Sequence, residues 1–168
     1  MKTNKMFLIF SMATSLLLFG CPYESKFPLS NSSESTIDTL LIGSWDEITA
    51  KDEEPATSIE INIFNDHEYL SQMMSRDKGS LTIQGFRAFE TTINHQKILN
   101  IQEIGNKPKY KFYKYVVSTD TLKIASVLKD SIKTEFKNST ELNTYFSKNM
   151  NSPKFYEDVR VFIKRKRK

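Results

Sequence analysis

Ile59-Glu60-Ile61-Asn62-Ile63 alternates β-branched aliphatic residues with polar ones, and Asn65-Asp66 then supplies a turn into a second extended run over residues 68–74. Successive side chains of a strand point to opposite faces, so a period of two gives one buried face and one solvated face. Similar short runs fill residues 43–50, 80–84, 87–93, 97–104, 110–117 and 121–128. The breaks between the later runs fall at Asp77-Lys78-Gly79, Asn94-His95-Gln96, residues 105–108 and Thr119-Asp120. Connections this short join adjacent antiparallel strands and cannot carry the crossover of a parallel pair. The pattern predicts an antiparallel meander.

One segment departs from it. Leu142, Tyr145, Phe146 and Met150 recur at helical spacing, Asn138 and Glu141 form an N-cap with a reaching carboxylate, and Pro153 is a stop beyond the end. Val159, Val161 and Ile163 then alternate as a last strand. The chain therefore reads as mainly β: about eight strands, one helix near the C-terminus and a short closing strand. A strand-rich domain must manage its unpaired edges, and closure into a barrel is the simplest way.

The N-terminus carries a different kind of signal. Lys2 and Lys5 precede an apolar run over residues 6–19 that stops at Gly20-Cys21, which is the layout of a secretory signal and is short for a membrane span. Leu18-Phe19-Gly20-Cys21 resembles the bacterial lipobox, although Phe19 is bulkier than the residue that motif usually carries. The resemblance implies that Cys21 receives a diacylglyceryl group before signal peptidase II cuts in front of it. Cys21 is the single cysteine, so no intramolecular disulfide forms, and a cysteine ending a hydrophobic signal has no core around it.

Pro22 to Asp38 is rich in Ser, Pro, Asn and Glu without apolar period, and reads as a flexible tether. The expected organisation is a signal over 1–20, lipidated Cys21 and tether over 21–38, a barrel domain over 39–163 and a basic tail over 164–168. Of the 24 Lys and Arg, Lys2 and Lys5 lie in the signal and five form the tail, leaving 17 against 20 Asp and Glu, a net −3 for residues 22–163. The basic balance belongs to the tail, so the domain itself offers no basic nucleic-acid surface.

Gly43-Ser44-Trp45 on the first strand is similar to the Gly-X-Trp of lipocalin-like barrels, and a helix with a short strand after the meander follows their order. Ser118-Thr119-Asp120-Thr121 resembles their Thr-Asp-Tyr turn without its aromatic residue. The resemblance implies that Trp45 closes one end beneath a cavity and is covered by an arginine from a late strand, for which Arg160 stands in position. The whole layout, with Lys-Phe-Pro-Leu-Ser in the tether and Leu-Leu-Ile-Gly-Ser-Trp at the first strand, resembles small, largely uncharacterised bacterial lipoproteins. That family implies an envelope location. Pro22 stands where Asp is associated with inner-membrane retention, which tilts the expectation toward the outer membrane, facing the periplasm.

Residues with catalytic spacing are not evident. His67 and His95 have no second His, Cys or His-Glu spacing for a metal and read as turn or surface residues. A Gly-X-Ser-X-Gly, a phosphate-cradling glycine loop and a Cys-His nucleophile are all missing from the sequence. In Tyr110-Lys111-Phe112-Tyr113-Lys114-Tyr115, Tyr110 and Phe112 share one strand face while Tyr113 and Tyr115 share the other, as in a barrel strand buried inside and covered outside. The expected function is a membrane-anchored, non-catalytic binding domain for a small amphiphile, without cofactor or metal, with Trp45, Tyr113 and Tyr115 as candidate ligand contacts. A protein-interaction module with a filled barrel, of inhibitor, immunity or envelope-structural type, is the alternative.

Overall fold

The computed structural model describes residues 22–48, 56–77, 79–105, 109–157 and 159–166. The signal segment and Cys21 lie outside the described residues. Among the described residues nine strands form: β1 (Glu24–Ser25), β2 (Gly43–Glu47), β3 (Thr57–Ile63), β4 (Tyr69–Asp77), β5 (Ser80–Ile93), β6 (Gln96–Glu103), β7 (Tyr110–Val117), β8 (Thr121–Ser126) and β9 (Arg160–Lys164). One helix, α1 (Ser139–Asn149), lies between β8 and β9. Strands β2 to β8 run as a meander, and β9 closes the ring by pairing antiparallel with both β8 and β2. The result is a closed antiparallel barrel of eight strands, β2 to β9, with β1 added beside the start of β7. No helix among the described residues is long and apolar enough to cross a membrane.

The runs 80–84 and 87–93, expected as two strands, are one. Strand β5 pairs with β4 without interruption from Ser80↔Asp77 to Ala88↔Tyr69, through Gly85. That glycine is a mid-strand residue and not a turn, because it pairs with Gln72, and a Cβ there would make only an ordinary contact with the Ile104 side chain at 3.6 Å. Strand β6 ends opposite Phe86, so the Ser80 end of β5 stands beyond the ring as a hairpin with β4.

Two cores follow from the period of two. Inside the barrel lie Leu41, Trp45, Ile61, Tyr69, Ala88, Leu99, Tyr115, Leu122 and Phe162. The second core lies outside, where Ile98 and Phe112 on the outer faces of β6 and β7 meet Leu142 and Phe146 of α1 and Met150 at its C-terminal cap. Strand β7 thus divides its aromatic residues as the spacing predicts, and its register with β6 is unbroken. Asn138 caps α1 by accepting from the Glu141 N–H at 2.9 Å, and the Glu141 carboxylate reaches back to the Lys137 N–H at 3.0 Å.

Residues 22–38 are not a flexible tether. Pro22 bridges to Leu128, the Tyr23 N–H donates to the Val127 carbonyl, and β1 pairs Glu24 with Lys111. Leu29 is 2% exposed, with its N–H held by Asn100 Oδ1 at 2.8 Å. Ser35 provides a second fixed point, its Oγ accepting from the Glu90 N–H at 2.9 Å. Composition suggested a solvated coil, but a few apolar residues and long-range side-chain hydrogen bonds bind the segment to the barrel as a belt. The basic tail is corrected likewise. Lys164 belongs to β9, and the Arg165 Nε donates to Asp46 Oδ2 at 2.8 Å, so the run begins inside the fold.

Candidate functional site

The barrel has one closed end and one open end. Toward the start of β2, the inward side chains Trp45, Ile61, Tyr69, Tyr115, Leu122 and Phe162 are buried. Toward the other end, the inward Ile59, Met73, Gln84, Ile124 and Arg160 are only half-buried. Between them is a cavity of about 130 Å³ with a mainly aliphatic lining, including Ile59, Ile61, Ala88, Leu99, Ile101 and Leu122, and with Lys111, Tyr113 and Arg160 among its polar members.

Trp45 builds the closed end. It is fully buried, and its Nε1 donates to the Leu41 carbonyl at 2.9 Å, across the short 3₁₀ turn Thr39–Leu41. The covering cation is Lys164 and not Arg160: the Lys164 Nζ lies 5.0 Å from the Trp45 ring centroid. Register explains the correction, because β2 pairs Trp45 with Lys164, which leaves Arg160 two inward positions further along β9. Gly43 has φ +133°, and a Cβ there would meet the Lys164 Cε at 2.9 Å, so the glycine of Gly-Ser-Trp leaves room for the lysine stem.

A charged group seals the same end. Lys97 Nζ contacts Asp38 Oδ2 at 2.7 Å and Glu90 Oε2 at 3.5 Å, while the Tyr115 hydroxyl donates to Glu90. The Asp38 N–H donates to the Tyr69 hydroxyl at 2.6 Å. Burial would raise the Asp38 carboxyl, but hydrogen bonds from Lys97 and the Leu40 N–H outweigh it and hold the group below its ordinary value. Burial, with the Glu90 hydrogen bond and charge, raises the Tyr115 hydroxyl far above the usual tyrosine range. These groups satisfy one another and fasten the belt at Asp38 to the barrel.

At the open end Arg160 clasps Glu47 in a two-pronged pair, 2.7 Å for each prong, and its Nη2 also donates to Thr57 Oγ1 at 2.8 Å. The hydrogen bond from Arg160 holds the Glu47 carboxyl below its ordinary value, against the effect of burial. Tyr113 lines the cavity, and burial pushes its hydroxyl up to about 12. Opposite Tyr113 on β8, the buried Ser126 Oγ has no hydrogen-bond partner.

Of the three expected ligand contacts, Tyr113 alone lines the cavity, whereas Trp45 and Tyr115 are built into the closed end. Cys21 lies outside the described residues. His95 sits with Asn94 in the β5–β6 turn, at φ 64° and 49°, and His67 is an exposed residue whose Nδ1 lies 2.8 Å from the Ser35 carbonyl oxygen. Lys111 and Arg160 at the cavity are the residues that sequence reading missed as ligand contacts. The available signal was parity, since Lys111 shares a face with Tyr113 on β7, and Arg160 with Phe162 on β9. No family model, curated protein or solved structure matches this chain.

Proposed function

We propose that this protein is a bacterial envelope lipoprotein, anchored through acyl chains on Cys21, whose barrel binds the apolar end of a small amphiphile without catalysing its conversion. The observation that carries the reading is the aliphatic cavity closed by Trp45 and flanked at its open end by Lys111 and Arg160. An apolar group entering there loses its water-exposed surface, while an acidic head remains beside two cations. The volume of about 130 Å³ sets the guest's size. Apolar cavities near 150 Å³ hold a benzene-sized molecule, and drug-sized pockets run to roughly 300–1,000 Å³. The guest is therefore the end of one chain or a single ring. The lipobox resemblance and the residue after Cys21 support an outer-membrane location facing the periplasm.

The test is displacement of a fluorescent medium-chain fatty acid, compared between the parent and Ala88→Leu. Ala88 lines the cavity at 4% exposure, and the larger side chain fills the space a guest would take. Loss of probe binding in a folded Ala88→Leu protein is expected. Equal binding by the two proteins overturns the reading. The small volume specifically favours the second reading, a protein-interaction module with an essentially filled barrel, which predicts no probe binding and co-purification of a stoichiometric envelope protein.

A further inference from the structure

The belt changes what an anchor at Cys21 would do. Adjacent Cα atoms are about 3.8 Å apart, so acyl chains on Cys21 would enter the bilayer one residue from Pro22. Pro22 is bridged to Leu128, the Tyr23 N–H is bonded to the Val127 carbonyl and β1 is paired to β7, so no slack chain separates the domain from the lipid. The surface around Pro22 must then rest on the headgroups.

That surface is a groove of about 680 Å³ at the open end of the barrel, where β7 begins and β8 ends. Tyr23, Phe27, Ile132 and Phe136 supply its apolar lining. Lys26, Lys109, Lys111, Lys129 and Lys133 surround them, against Glu24 and Glu135. Five cations and two carboxylates give the groove a local charge of +3, whereas residues 22–163 together carry −3. Lys109 and Lys111 share Glu24 at 2.9 and 3.8 Å. Lys26, Lys129 and Lys133 are exposed and make no ion pair among the described residues. The apolar residues at this same end are also uncovered: Leu81, Ile83 and Ile104 near the overhanging hairpin are each more than half exposed. Lys164 and Arg165, by contrast, lie at the Trp45 end, where Lys164 stands opposite Trp45 and Arg165 is paired with Asp46.

We propose that this groove is the membrane-contact site of the protein, seating the headgroup of an anionic phospholipid, and that the barrel stands with its open end on the bilayer. The phosphodiester meets the lysine rim, and the glycerol and upper acyl segment lie on the aromatic lining. The orientation rests on the anchor reading of Cys21, and it places the cavity entrance where an amphiphile leaves the membrane.

The test uses the mature chain from residue 21 with Cys21→Ser, which retains both cores and all the belt contacts. Binding is measured to vesicles of phosphatidylcholine with and without phosphatidylglycerol at low salt. The parent binds the phosphatidylglycerol vesicles and is released as salt shortens the Debye length. Lys26→Gln/Lys129→Gln/Lys133→Gln weakens that binding at least about tenfold, since each lysine near an anionic surface contributes to attraction. Lys123→Gln/Lys148→Gln/Lys166→Gln carries the same charge change elsewhere and retains it. Equal binding by parent and groove variant, or equal loss in both variants, overturns the proposal. Fatty-acid labelling of the unaltered chain in cells reads the anchor separately. Labelled Cys21 without groove-dependent vesicle binding defeats the groove alone. Absent labelling with groove-dependent binding defeats the anchor and leaves the lipid site standing.

Discussion

Replacing Asn100 with alanine tests whether residues 22–38 are part of the fold. Asn100 is fully buried on the outer face of β6. Its Oδ1 accepts from the Leu29 N–H at 2.8 Å, and its Nδ2 donates to Thr91 Oγ1 at 2.8 Å and to the Phe89 carbonyl at 3.3 Å. Alanine removes all three. Thr91 retains the Ser30 hydroxyl at 2.6 Å, but the Leu29 N–H is left unpaired beside a side chain only 2% exposed, where water cannot replace the amide unless the belt opens. A buried unpaired donor costs about 1–3 kcal/mol, and the truncation leaves a small void as well, so the loss should be about 2–4 kcal/mol. Folded domains are stable by only about 5–15 kcal/mol, so the change is large. Urea unfolding of parent and variant gives the difference, and hydrogen exchange at the Leu29 amide reports locally. A solvated tether predicts a change under about 1 kcal/mol. That result, together with an unprotected Leu29 amide in the parent, would refute the belt.

Trp45→Ala should cost about 3–5 kcal/mol by urea unfolding, since it empties a fully buried indole site and frees the Leu41 carbonyl. A parent fluorescence spectrum typical of solvent-exposed tryptophan would contradict the plug. Stability should fall on acidification. Glu24, Asp46 and Glu47 are held low by hydrogen bonds from Lys109, Arg165 and Arg160, so their contribution is present above the ordinary carboxylate values near about 4 and is lost as pH drops through the folded ones. It should fall again at high pH, because burial raises Tyr69 and Tyr113 to about 12, and that contribution, full below the ordinary value of about 10, disappears as pH climbs past it. A flat unfolding midpoint across either window would count against these environments.

The barrel was legible because its signals are local. Period-two alternation, short polar breaks and the Asn138 cap each occupy a few consecutive residues, and each has a direct structural counterpart. Features set by pairing register were not. Nothing within residues 160–164 states that Lys164 will lie opposite Trp45, and only the antiparallel match to β2 selects it over Arg160 as the cation on the indole. Strand β9 shows the same limit. Val159, Val161 and Ile163 alternate as the aliphatic residues of that segment, yet Val159 and Ile163 are 59% and 42% exposed, Val161 is half-buried, and Phe162 of the opposite parity fills the interior.

The belt was hidden for a related reason. Residues 22–38 have the composition of a solvated coil, and their hold on the barrel comes from contacts with no local signature. Leu29 meets Asn100 across 71 positions, Ser30 meets Thr91 across 61, and Ser35 meets Glu90 across 55. Each donor or acceptor is unremarkable by itself. They fall into line because residues 90–93 of β5 extend past the first residue of β4, Tyr69, which pairs with Ala88 and leaves the Glu90 N–H for Ser35. A backbone donor left over by the sheet must find a partner or face water, and here the preceding chain supplies it. The same segment that reads as a spacer in composition therefore satisfies the edge the meander leaves open, and in doing so fixes how close any anchor at Cys21 would hold the barrel to a membrane.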